Sequence, residues 1–490
     1  MHVRLVLRSL AVLILGLAIS LLVSAGVSWL YNERLLPFLI PAGLCAVIGT
    51  GFILFLKRDE STVRVQEGVL IVLSSWMVFC LFGLIPFLLM DQPVSFADAL
   101  FETASGFTTT GSTIFSDVES LPYGILFWRS LTHWLGGMGI IVLAVAILPF
   151  FGIGGLQLIR AEAPGPDVER LRPRIAHTAR LFWIIYVGLT VLEIILLYFG
   201  GLSLFDSVNH SFATLATGGF STRNASIAAF GNPYVEWVVA VFMVLSGVNF
   251  AVYYRFFLKD FQRIIKDSEL KAYLILFFSC VLITSFSLHR AGLYSDLGET
   301  LRYGSFQVAT LMTSTGFATA DYVLWPGLAQ GILFLLLFVG GCVGSTSGGI
   351  KMFHVTVSLK AAVAELRRLR HPRAIIVPRM NSEPLRSPTI LSVQGFIFLY
   401  LALVLISTIV VASGNIDLET SLTATLAAIG NIGPGFSRVG PVENFGFFPD
   451  YVKIWLSFVM IAGRLEIYTI LILLIPRFPG KPQLSFRYNR

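Results

Sequence analysis

The chain has little charge and few groups that could run chemistry. Only 13% of its 490 residues are charged, against about 25% in soluble domains, while 56% are hydrophobic. It contains no HExxH pair, no clustered intramembrane His, Asp or Ser dyad, no dinucleotide fingerprint and no Walker motif. Its four cysteines lie apart in apolar runs without CxxC spacing: Cys45, Cys80, Cys280 and Cys342. These absences argue against a soluble protein, an enzyme, a disulfide framework, a covalent cofactor and a nucleotide site on this chain.

Apolar runs recur from end to end, each near the roughly 20 residues that cross ~30 Å of hydrocarbon as a helix. The ten runs are 9–31, 37–56, 69–90, 125–151, 181–200, 235–253, 272–288, 328–343, 391–413 and 454–476. They predict an all-α polytopic membrane protein. The first run is also compatible with a signal peptide cleaved after Val23-Ser24-Ala25, but it continues to Tyr31, beyond a usual signal core.

The basic residues predict an orientation. If the N-terminus is cytoplasmic and each run crosses once, most of the 35 Lys and Arg residues lie on the cytoplasmic side, in clusters such as 57–64, 255–271 and 351–386. This asymmetry is the positive-inside signature. It places both termini in the cytoplasm, and it explains the net charge of +7 without a nucleic-acid partner.

After the first two runs, the other eight form four pairs with a similar segment between the members of each pair. The segments read DALFETASGFTTTGST, DSVNHSFATLATGGFST, ETLRYGSFQVATLMTSTGFAT and DLETSLTATLAAIGNIGPGFS. Each opens with an acid (Asp98, Asp206, Glu299, Asp417) and ends in a small polar cluster around one glycine. The first also carries Glu102 in its acidic start and ends in TTTGST, which has hydroxyls but no group for acid–base or redox chemistry.

Four such segments suit a pore. An acid favours the positive N-terminal end of a short helix, and about 12 helical residues span ~18 Å, only part of the bilayer. The extended return is tolerated only where it is buried in protein or lines a water-filled path. Four returns around one axis would offer rings of neutral oxygens from carbonyls and from Thr, Ser and Asn side chains, as in potassium filters. The alternative for each segment is an ordinary outer loop with an amphipathic helix.

With four such segments, the chain resembles the Trk/Ktr/HKT superfamily of potassium transporters, and most closely its bacterial TrkH/TrkG branch. The resemblance covers essentially the whole chain. Besides the four segments it rests on HWLGGMGIIVLAVAILP (133–149), RAEAPGP (160–166), GGCVGSTSGGIK (340–351), NIGPG (431–435) and GRLEIYT (463–469). It implies four M1–pore-loop–M2 repeats arranged as a pseudo-tetrameric cation-channel-like pore, after two extra transmembrane helices. The implied divisions are 1–62 for the extra helices, then 63–158, 159–266, 267–382 and 383–490 for the repeats.

The resemblance also implies a site. Carried over by position, the potassium-binding filter consists of Thr109, Thr110, Gly111, Thr217, Gly218, Gly219, Ser314, Thr315, Gly316, Asn431, Ile432 and Gly433. Gly111 is similar to the potassium-type pattern, because a serine there accompanies sodium selectivity in plant relatives. The implied gate is an intramembrane loop with an arginine below it: Gly340, Gly341, Gly344, Ser345, Thr346, Ser347, Gly348, Gly349, Lys351 and Arg464.

The residues themselves bear on this gate. At about 1 kcal/mol per glycine relative to alanine, the five glycines of 340–349 argue against an unbroken helix. The segment is not a P-loop, because Ile350 separates the last glycine from Lys351. It is either an unwound stretch that occludes the path or a helix packed closely through small residues. Arg464 lies in the last apolar run, where a charged side chain exposed to lipid would be costly. We therefore expect its side chain to face a cavity or to pair with a buried group. His133 is expected to pack rather than to bind a ligand.

The implied function is potassium uptake across the bacterial cytoplasmic membrane by a homodimer, each protomer with its own pore. The family pairs this membrane subunit with a cytoplasmic TrkA-type subunit that binds nucleotide, and 160–174 and 360–379 are the candidate docking segments. A symporter coupled to protons or sodium on the same fold remains the alternative. Repeats that all run in one direction argue against an inverted-repeat transporter.

Overall fold

The computed structural model describes residues 2–56, 65–146, 171–381 and 383–474. This part of the chain is helical apart from loops and one short antiparallel hairpin, in which Arg379–Met380 pairs with Glu383–Pro384. Two helices come first, Val3–Leu30 and Leu36–Phe55. They lie side by side so closely that a Cβ atom on Gly49 would lie 2.7 Å from the Leu15 side chain. The first is continuous over 28 residues and therefore passes the possible cleavage site without a break.

Four M1–pore helix–M2 repeats follow. The M1 helices are Val65–Gly83 (with Ile85–Leu89 after it), Leu171–Phe199, Ser268–Arg290 and Ser387–Ala412. The pore helices are Phe96–Phe107, Leu204–Leu215, Leu297–Met312 and Leu418–Gly430. The M2 helices are Tyr123–Ala146, Pro233–Ser246 with Phe250–Phe257, Gly327–Leu336 with Met352–Arg370, and Asp450–Arg464 with Ile467–Leu474. A short helix, Phe261–Lys266, connects the second and third repeats.

Three of the M2 helices are broken. The break in the third was predicted, and those in the second and fourth were not. Six described helices are long and apolar enough to span a membrane, or seven with Pro233–Ser246 and Phe250–Phe257 taken as one bent span. That pair bends by 92°. The third M2 opens into a loop between Leu336 and Met352, and the fourth breaks after Arg464. The second and fourth breaks coincide with glycine and polar residues, Gly247 and Asn249 in one and Gly463 and Glu466 in the other, but glycines also occur inside the continuous helix Tyr123–Ala146.

Polarity is distributed as a membrane requires. On the fourth M1 helix, Phe398 and Ile409 are each 71% exposed. Inside the bundle, Arg129, His210 and Gln307 are at most 2% exposed. Apolar side chains facing out and polar ones facing in are the pattern of a chain surrounded by lipid. The chain is thus an all-α membrane protein of four pore-forming repeats preceded by two helices.

The pore helices begin with side-chain caps. Asp98, Asp206 and Glu299 stand three residues after the cap residue, whereas Asp417 is itself the cap. The sequence suggested that the four acids occupy equivalent positions, and the structure shows that the fourth does not. In the first helix, Ser95 Oγ accepts the Asp98 N–H at 3.1 Å. Caps satisfy the unpaired N–H groups of a first turn, and acids there complement the helix dipole. Both placements therefore stabilise the start of a short helix.

Candidate functional site: a ring of backbone carbonyls

All four pore helices end in the same backbone geometry. In the first, the Thr110 N–H donates to Ser105 O at 2.8 Å and the Thr109 N–H donates to Gly106 O at 3.1 Å, the two bonds of a Schellman cap. The corresponding bonds are Gly218 to Ala213 and Thr217 to Thr214, Thr315 to Thr310 and Ser314 to Leu311, and Ile432 to Ala427 and Asn431 to Ala428. The sequence repeats are therefore also repeats of local structure.

The residue at the turn of each cap is left-handed, although none of the four is glycine. Thr109, Thr217, Ser314 and Asn431 have φ of +54°, +54°, +55° and +51°. Glycine is usual there, and a β-branched residue with positive φ is a true outlier. Such strain costs on the order of 1–3 kcal/mol per residue and persists where the surroundings over-determine the backbone, often at functional sites.

The glycine after each of these turns faces the backbone of the next repeat, with φ between +80° and +99°. A Cβ atom on each would collide with a carbonyl oxygen: Gly111 with Gly218 O (2.0 Å), Gly219 with Thr315 O (2.0 Å), Gly316 with Ile432 O (2.3 Å) and Gly433 with Thr110 O (2.9 Å). The fourth contact returns to the first repeat. The four segments therefore form a closed ring in chain order, and the structure brings together all twelve residues predicted for the filter.

The ring offers carbonyl oxygens more than side chains. The hydroxyls of Thr110 and Thr315 bond at 2.7 Å to those of Thr108 and Thr313, and Asn431 Nδ2 donates to Thr110 Oγ1 at 3.0 Å. The sequence predicted side-chain oxygens as ligands too. The Thr110 and Thr315 hydroxyls are engaged in bracing the segments, whereas Thr109 Oγ1 and Asn431 Oδ1 are buried without a partner among the described residues. Within the described residues, no hydrogen bond reaches the carbonyl oxygens of Thr110, Thr315 or Ile432. Buried carbonyls need a partner, which a cation or water on the axis would supply.

One end of the ring opens into a cavity of about 100 Å³. Gly111, Gly219, Gly316 and Gly433 all line it, together with the segments that follow them. Its lining is rich in small and polar residues, so a hydrated ion fits its chemistry better than an apolar ligand. The cavity lies on the side of the ring that the sequence predicts to face outward.

The other side of the ring is covered by the glycine-rich loop, which is unwound as the sequence predicted. Two left-handed glycines, Gly344 and Gly349, turn the chain back on itself. The loop is held by backbone bonds to the bend of the second repeat, Cys342 N–H to Gly247 O at 2.8 Å and Phe250 N–H to Gly344 O at 3.0 Å. The alternative of a continuous helix packed through small residues is therefore wrong.

The loop touches the filter directly. The Gly348 N–H donates to Ser314 Oγ at 2.6 Å, and Thr346 Oγ1 donates to Leu215 O, at the end of the second pore helix, at 2.9 Å. Inside the loop, the Ser345 and Ser347 hydroxyls bond to each other at 2.8 Å. The remaining predicted gate residues, Gly340, Gly341 and Lys351, form the loop's two ends, with Lys351 Nζ donating to Ser347 O. The loop thus spans the second and third repeats immediately beside the ring.

Arg464 ends a helix rather than lying in the middle of one. It is 3% exposed, and its Nη1 donates to Thr346 O at 2.6 Å while Nη2 donates to Gly136 O at 3.4 Å. Glu466 follows at a left-handed break with φ of +55°. Two of the predicted contacts are therefore present, one with a carbonyl of the loop and one with a buried carbonyl outside it, and the electrostatic barrier stays a prediction. The guanidinium joins the first and fourth repeats to the loop of the third.

His133 packs against the filter scaffold, as predicted, and is held as one neutral tautomer. Its Nδ1 lies 2.7 Å from Gly106 O, and its Nε2 accepts the Phe220 N–H at 3.2 Å. A carbonyl only accepts and an N–H only donates, so Nδ1 carries the proton and Nε2 does not. The ring also stacks on Phe220 with centroids 4.1 Å apart. His133 links the end of one pore helix to the segment after the next filter.

Replacing His133 with Leu is expected to lower the melting temperature in detergent. The change leaves the Phe220 N–H buried without a partner, at about 1–3 kcal/mol for such a group, and leaves Gly106 O with the Thr109 N–H alone. His289, exposed at the end of the third M1 helix, gives the matched control. His289→Leu should melt like the parent, and equal melting of the two variants would contradict the linking role of His133.

Sequence reasoning missed the partner of Glu102. This residue is not part of an exposed acidic start, because it lies in the middle of the first pore helix, 1% exposed, and pairs with Arg129 at 2.7 Å. The sequence did contain a signal that Glu102 has a special place. Glu102, His210 and Gln307 each lie nine residues before a filter glycine.

In the part of the chain that the structure describes, no group of three or more His, Cys, Asp or Glu side chains gathers to hold a metal ion.

The chain matches a family of known proteins over most of its length. The model of the TrkH family, described as cation transport proteins, matches residues 39–481. The Trk system potassium uptake protein TrkH of Escherichia coli K12 is 38% identical over 428 residues, covering 86% of this chain and 88% of the relative. TrkH of Halomonas elongata is 35% identical over 484 residues, covering 98% and 99%. TrkG of Escherichia coli K12 is 36% identical over 478 residues, covering 96% and 98%.

A solved structure agrees with the fold described above. The crystal structure of the potassium transporter TrkH from Vibrio parahaemolyticus superposes with a TM-score of 0.89 at 33% identity, covering 97% of this chain and 99% of the other. Similarity in sequence and in fold therefore extends through the two leading helices and all four repeats. The chain belongs to the TrkH family of cation transport proteins.

Proposed function

We propose that this chain takes up potassium across the bacterial cytoplasmic membrane through a selective pore, with both termini in the cytoplasm. The observation that carries the proposal is the closed ring of filter segments, in which four carbonyl oxygens lie at the contacts between segments: Thr110, Gly218, Thr315 and Ile432. No hydrogen bond from the described residues reaches those of Thr110, Thr315 and Ile432. Neutral oxygens that replace a hydration shell are the ligands of potassium filters. The names of the relatives, which are potassium uptake proteins, support the same cargo.

The pore helices add electrostatic support. Each ends at the ring, and a helix C-terminus carries roughly half a negative charge, so four supply about two. This favours a cation without placing a carboxylate in the path, where a fixed charge would hold the ion too tightly. The proposed potassium ligands lie in the twelve filter residues, 109–111, 217–219, 314–316 and 431–433, and the ion is cargo rather than a resident cofactor.

We further propose that the loop 340–351 is the gate. It lies against Ser314 of the filter and against the end of the second pore helix, and its Thr346 carbonyl is held by Arg464. The helix Met352–Arg370 begins directly after the loop. A force on that helix from the cytoplasm would therefore reach the loop without passing through a flexible linker.

The cytoplasmic end of this helix is the proposed docking site of a nucleotide-binding TrkA-type subunit. It combines basic residues with exposed apolar ones, Leu366 (65%) and Leu369 (72%), and the segment after the helix adds Ile375 (95%). The other predicted docking segment, 160–174, begins outside the described residues. The proposed assembly is a homodimer, each protomer with its own pore. Any nucleotide dependence then belongs to the partner.

Deleting residues 344–348 is expected to raise rubidium uptake into proteoliposomes several-fold, because it removes an obstruction beside an intact filter. Thr346→Val, which removes the hydroxyl bonds to Leu215 O and Ser246 O but keeps the loop, should give a smaller increase. Thermal melting in detergent serves as the folding control for both. Slower uptake by a folded deletion variant would make the loop a support rather than a gate.

The transport mode is tested with the unaltered protein. Rubidium uptake driven only by its own gradient, with no proton or sodium gradient, is the result expected of a pore. Uptake that requires one of those gradients would favour the symporter on the same fold. Uptake that potassium does not compete with, or that sodium inhibits equally well, would refute potassium selectivity itself.

A further inference from the structure

A buried ion pair lies just behind the outer half of the filter ring. Glu102 comes from the first pore helix and Arg129 from the first M2 helix, and Arg129 Nε lies 2.7 Å from Glu102 Oε1. Both side chains are at most 2% exposed. A buried pair is often no more stabilising than apolar residues of similar volume, so its presence calls for a role other than stability.

The pair holds the exit of the first filter segment. Glu102 accepts the Ile114 N–H at 2.9 Å and the Thr113 hydroxyl at 3.1 Å. Arg129 Nη2 also lies 3.2 Å from Thr113 Oγ1. Thr113 stands two residues after Gly111, the glycine that faces the second repeat. The carboxylate therefore fixes the backbone immediately beyond the ring.

Arg129 extends the same network to the second repeat. Its Nη1 donates to Ser221 O at 3.2 Å, and its guanidinium lies over the Phe220 ring, 4.0 Å from the centroid. Ser221 stands two residues after Gly219, just as Thr113 stands two residues after Gly111. One guanidinium thus ties together corresponding positions of two neighbouring filter segments.

The equivalent positions of the other repeats carry neutral and more local contacts. Nine residues before its glycine, the second repeat has His210, whose Nε2 lies 2.8 Å from Ser221 Oγ. The third has Gln307, whose Nε2 donates to Ala320 O at 3.3 Å. The fourth has Ala424. Of the residues at these four positions, only Glu102 is bonded to a side chain that also reaches a neighbouring filter segment, and that side chain is Arg129.

From this geometry we propose that Glu102 and Arg129 are positioning residues for ion selection, which set the spacing between the first two filter segments. The proposal rests on the proposed potassium filter. Gly111 and the Gly218 carbonyl are in such close approach that a Cβ atom would lie 2.0 Å from the oxygen. A small change in spacing there alters how well the ring replaces a hydration shell, and selectivity is a difference between two binding free energies.

Arg129→Lys tests this with charge retained. Lysine is a point charge on a flexible stem and cannot reproduce the planar fork that reaches Glu102, Thr113 and Ser221 together. We expect the preference for potassium over sodium, measured as competition against rubidium uptake in proteoliposomes, to fall about tenfold, equivalent to about 1.4 kcal/mol. The matched control is Arg255→Lys, in a half-buried pair with Asp267 at the cytoplasmic side, and it should leave the preference unchanged.

Glu102→Gln provides a second variant of nearly the same shape, which keeps an acceptor for Ile114 but loses the charge that holds Arg129. Its preference should fall in the same direction. Unchanged preference in either folded variant would overturn the proposal, and so would loss of folding in both, since the pair would then serve the stability of the repeat. If the parent protein itself shows no preference for potassium over sodium, the proposed function is wrong. The failure of the proposed function is thus seen in the parent, and the failure of the positioning role is seen only in the variants.

Discussion

Gly111→Ser is expected to abolish most discrimination between potassium and sodium. The added Cβ atom would lie 2.0 Å from the Gly218 carbonyl oxygen, far inside contact distance, so that carbonyl must move away from the axis. The backbone at Gly111 also has φ of +83°, which serine adopts only with strain. The displaced oxygen, Gly218 O, is a proposed ligand of the ion. The ring should therefore coordinate dehydrated potassium less well, while it still prefers cations to anions.

The four filter glycines provide their own series of controls. The distance from a built Cβ atom to the next carbonyl rises from 2.0 Å at Gly111 and Gly219 to 2.3 Å at Gly316 and 2.9 Å at Gly433. Serine should therefore harm selectivity most at the first two positions and least at Gly433. The measurement is sodium competition against rubidium uptake in proteoliposomes, with melting in detergent as the folding control. A folded Gly111→Ser variant with unchanged competition would refute the filter assignment.

Arg464→Ala is expected to raise cation flux and to reduce the dependence on a cytoplasmic partner. The change removes a buried positive charge beside the proposed path and releases the Thr346 carbonyl of the loop. The direct partners of this guanidinium are neutral carbonyls, Thr346 O and Gly136 O. Its loss therefore leaves the Thr346 carbonyl without this partner, at about 1–3 kcal/mol, while Gly136 lies inside the helix Tyr123–Ala146, whose own bonds occupy its carbonyl. This penalty is smaller than that of an uncompensated buried charge.

Arg464→Lys separates the two effects of the arginine. Lysine keeps the charge but cannot reach two carbonyls with one planar fork. If the charge barrier dominates, the Lys variant should conduct like the parent; if the hold on the loop dominates, it should conduct more, as the Ala variant does. Flux in a folded Arg464→Ala variant that stays at or below the parent level would contradict both roles.

Several features of the fold were accessible from sequence because they repeat or concern composition. The apolar runs gave the membrane class, and four recurrences of one segment gave the four pore helices. The small polar cluster around Gly111 and around its three equivalents predicted the non-helical segment after each pore helix. The glycine density of 340–349 predicted the unwound loop. Each of these is a local property of the chain, or a local property that occurs four times.

Other features depend on contacts between distant parts of the chain. The break after Arg464 has no proline at or next to it, and the left-handed backbone of Thr109 replaces the glycine that a Schellman cap usually carries. The pairing of Glu102 with Arg129 joins two helices that sequence treats as separate. No periodicity encodes these contacts, because what fixes them is the packing of one repeat against the next.

The central claim is that the carbonyl ring binds the transported ion. Anomalous diffraction from crystals soaked in rubidium or thallium tests it most directly, since both ions substitute for potassium and scatter strongly. The account predicts a peak on the axis of the ring, within coordination distance of the carbonyl oxygens of Thr110, Gly218, Thr315 and Ile432, that disappears when sodium replaces the heavy ion. An intact ring without such a peak, with the ion bound elsewhere in the bundle, would contradict the account.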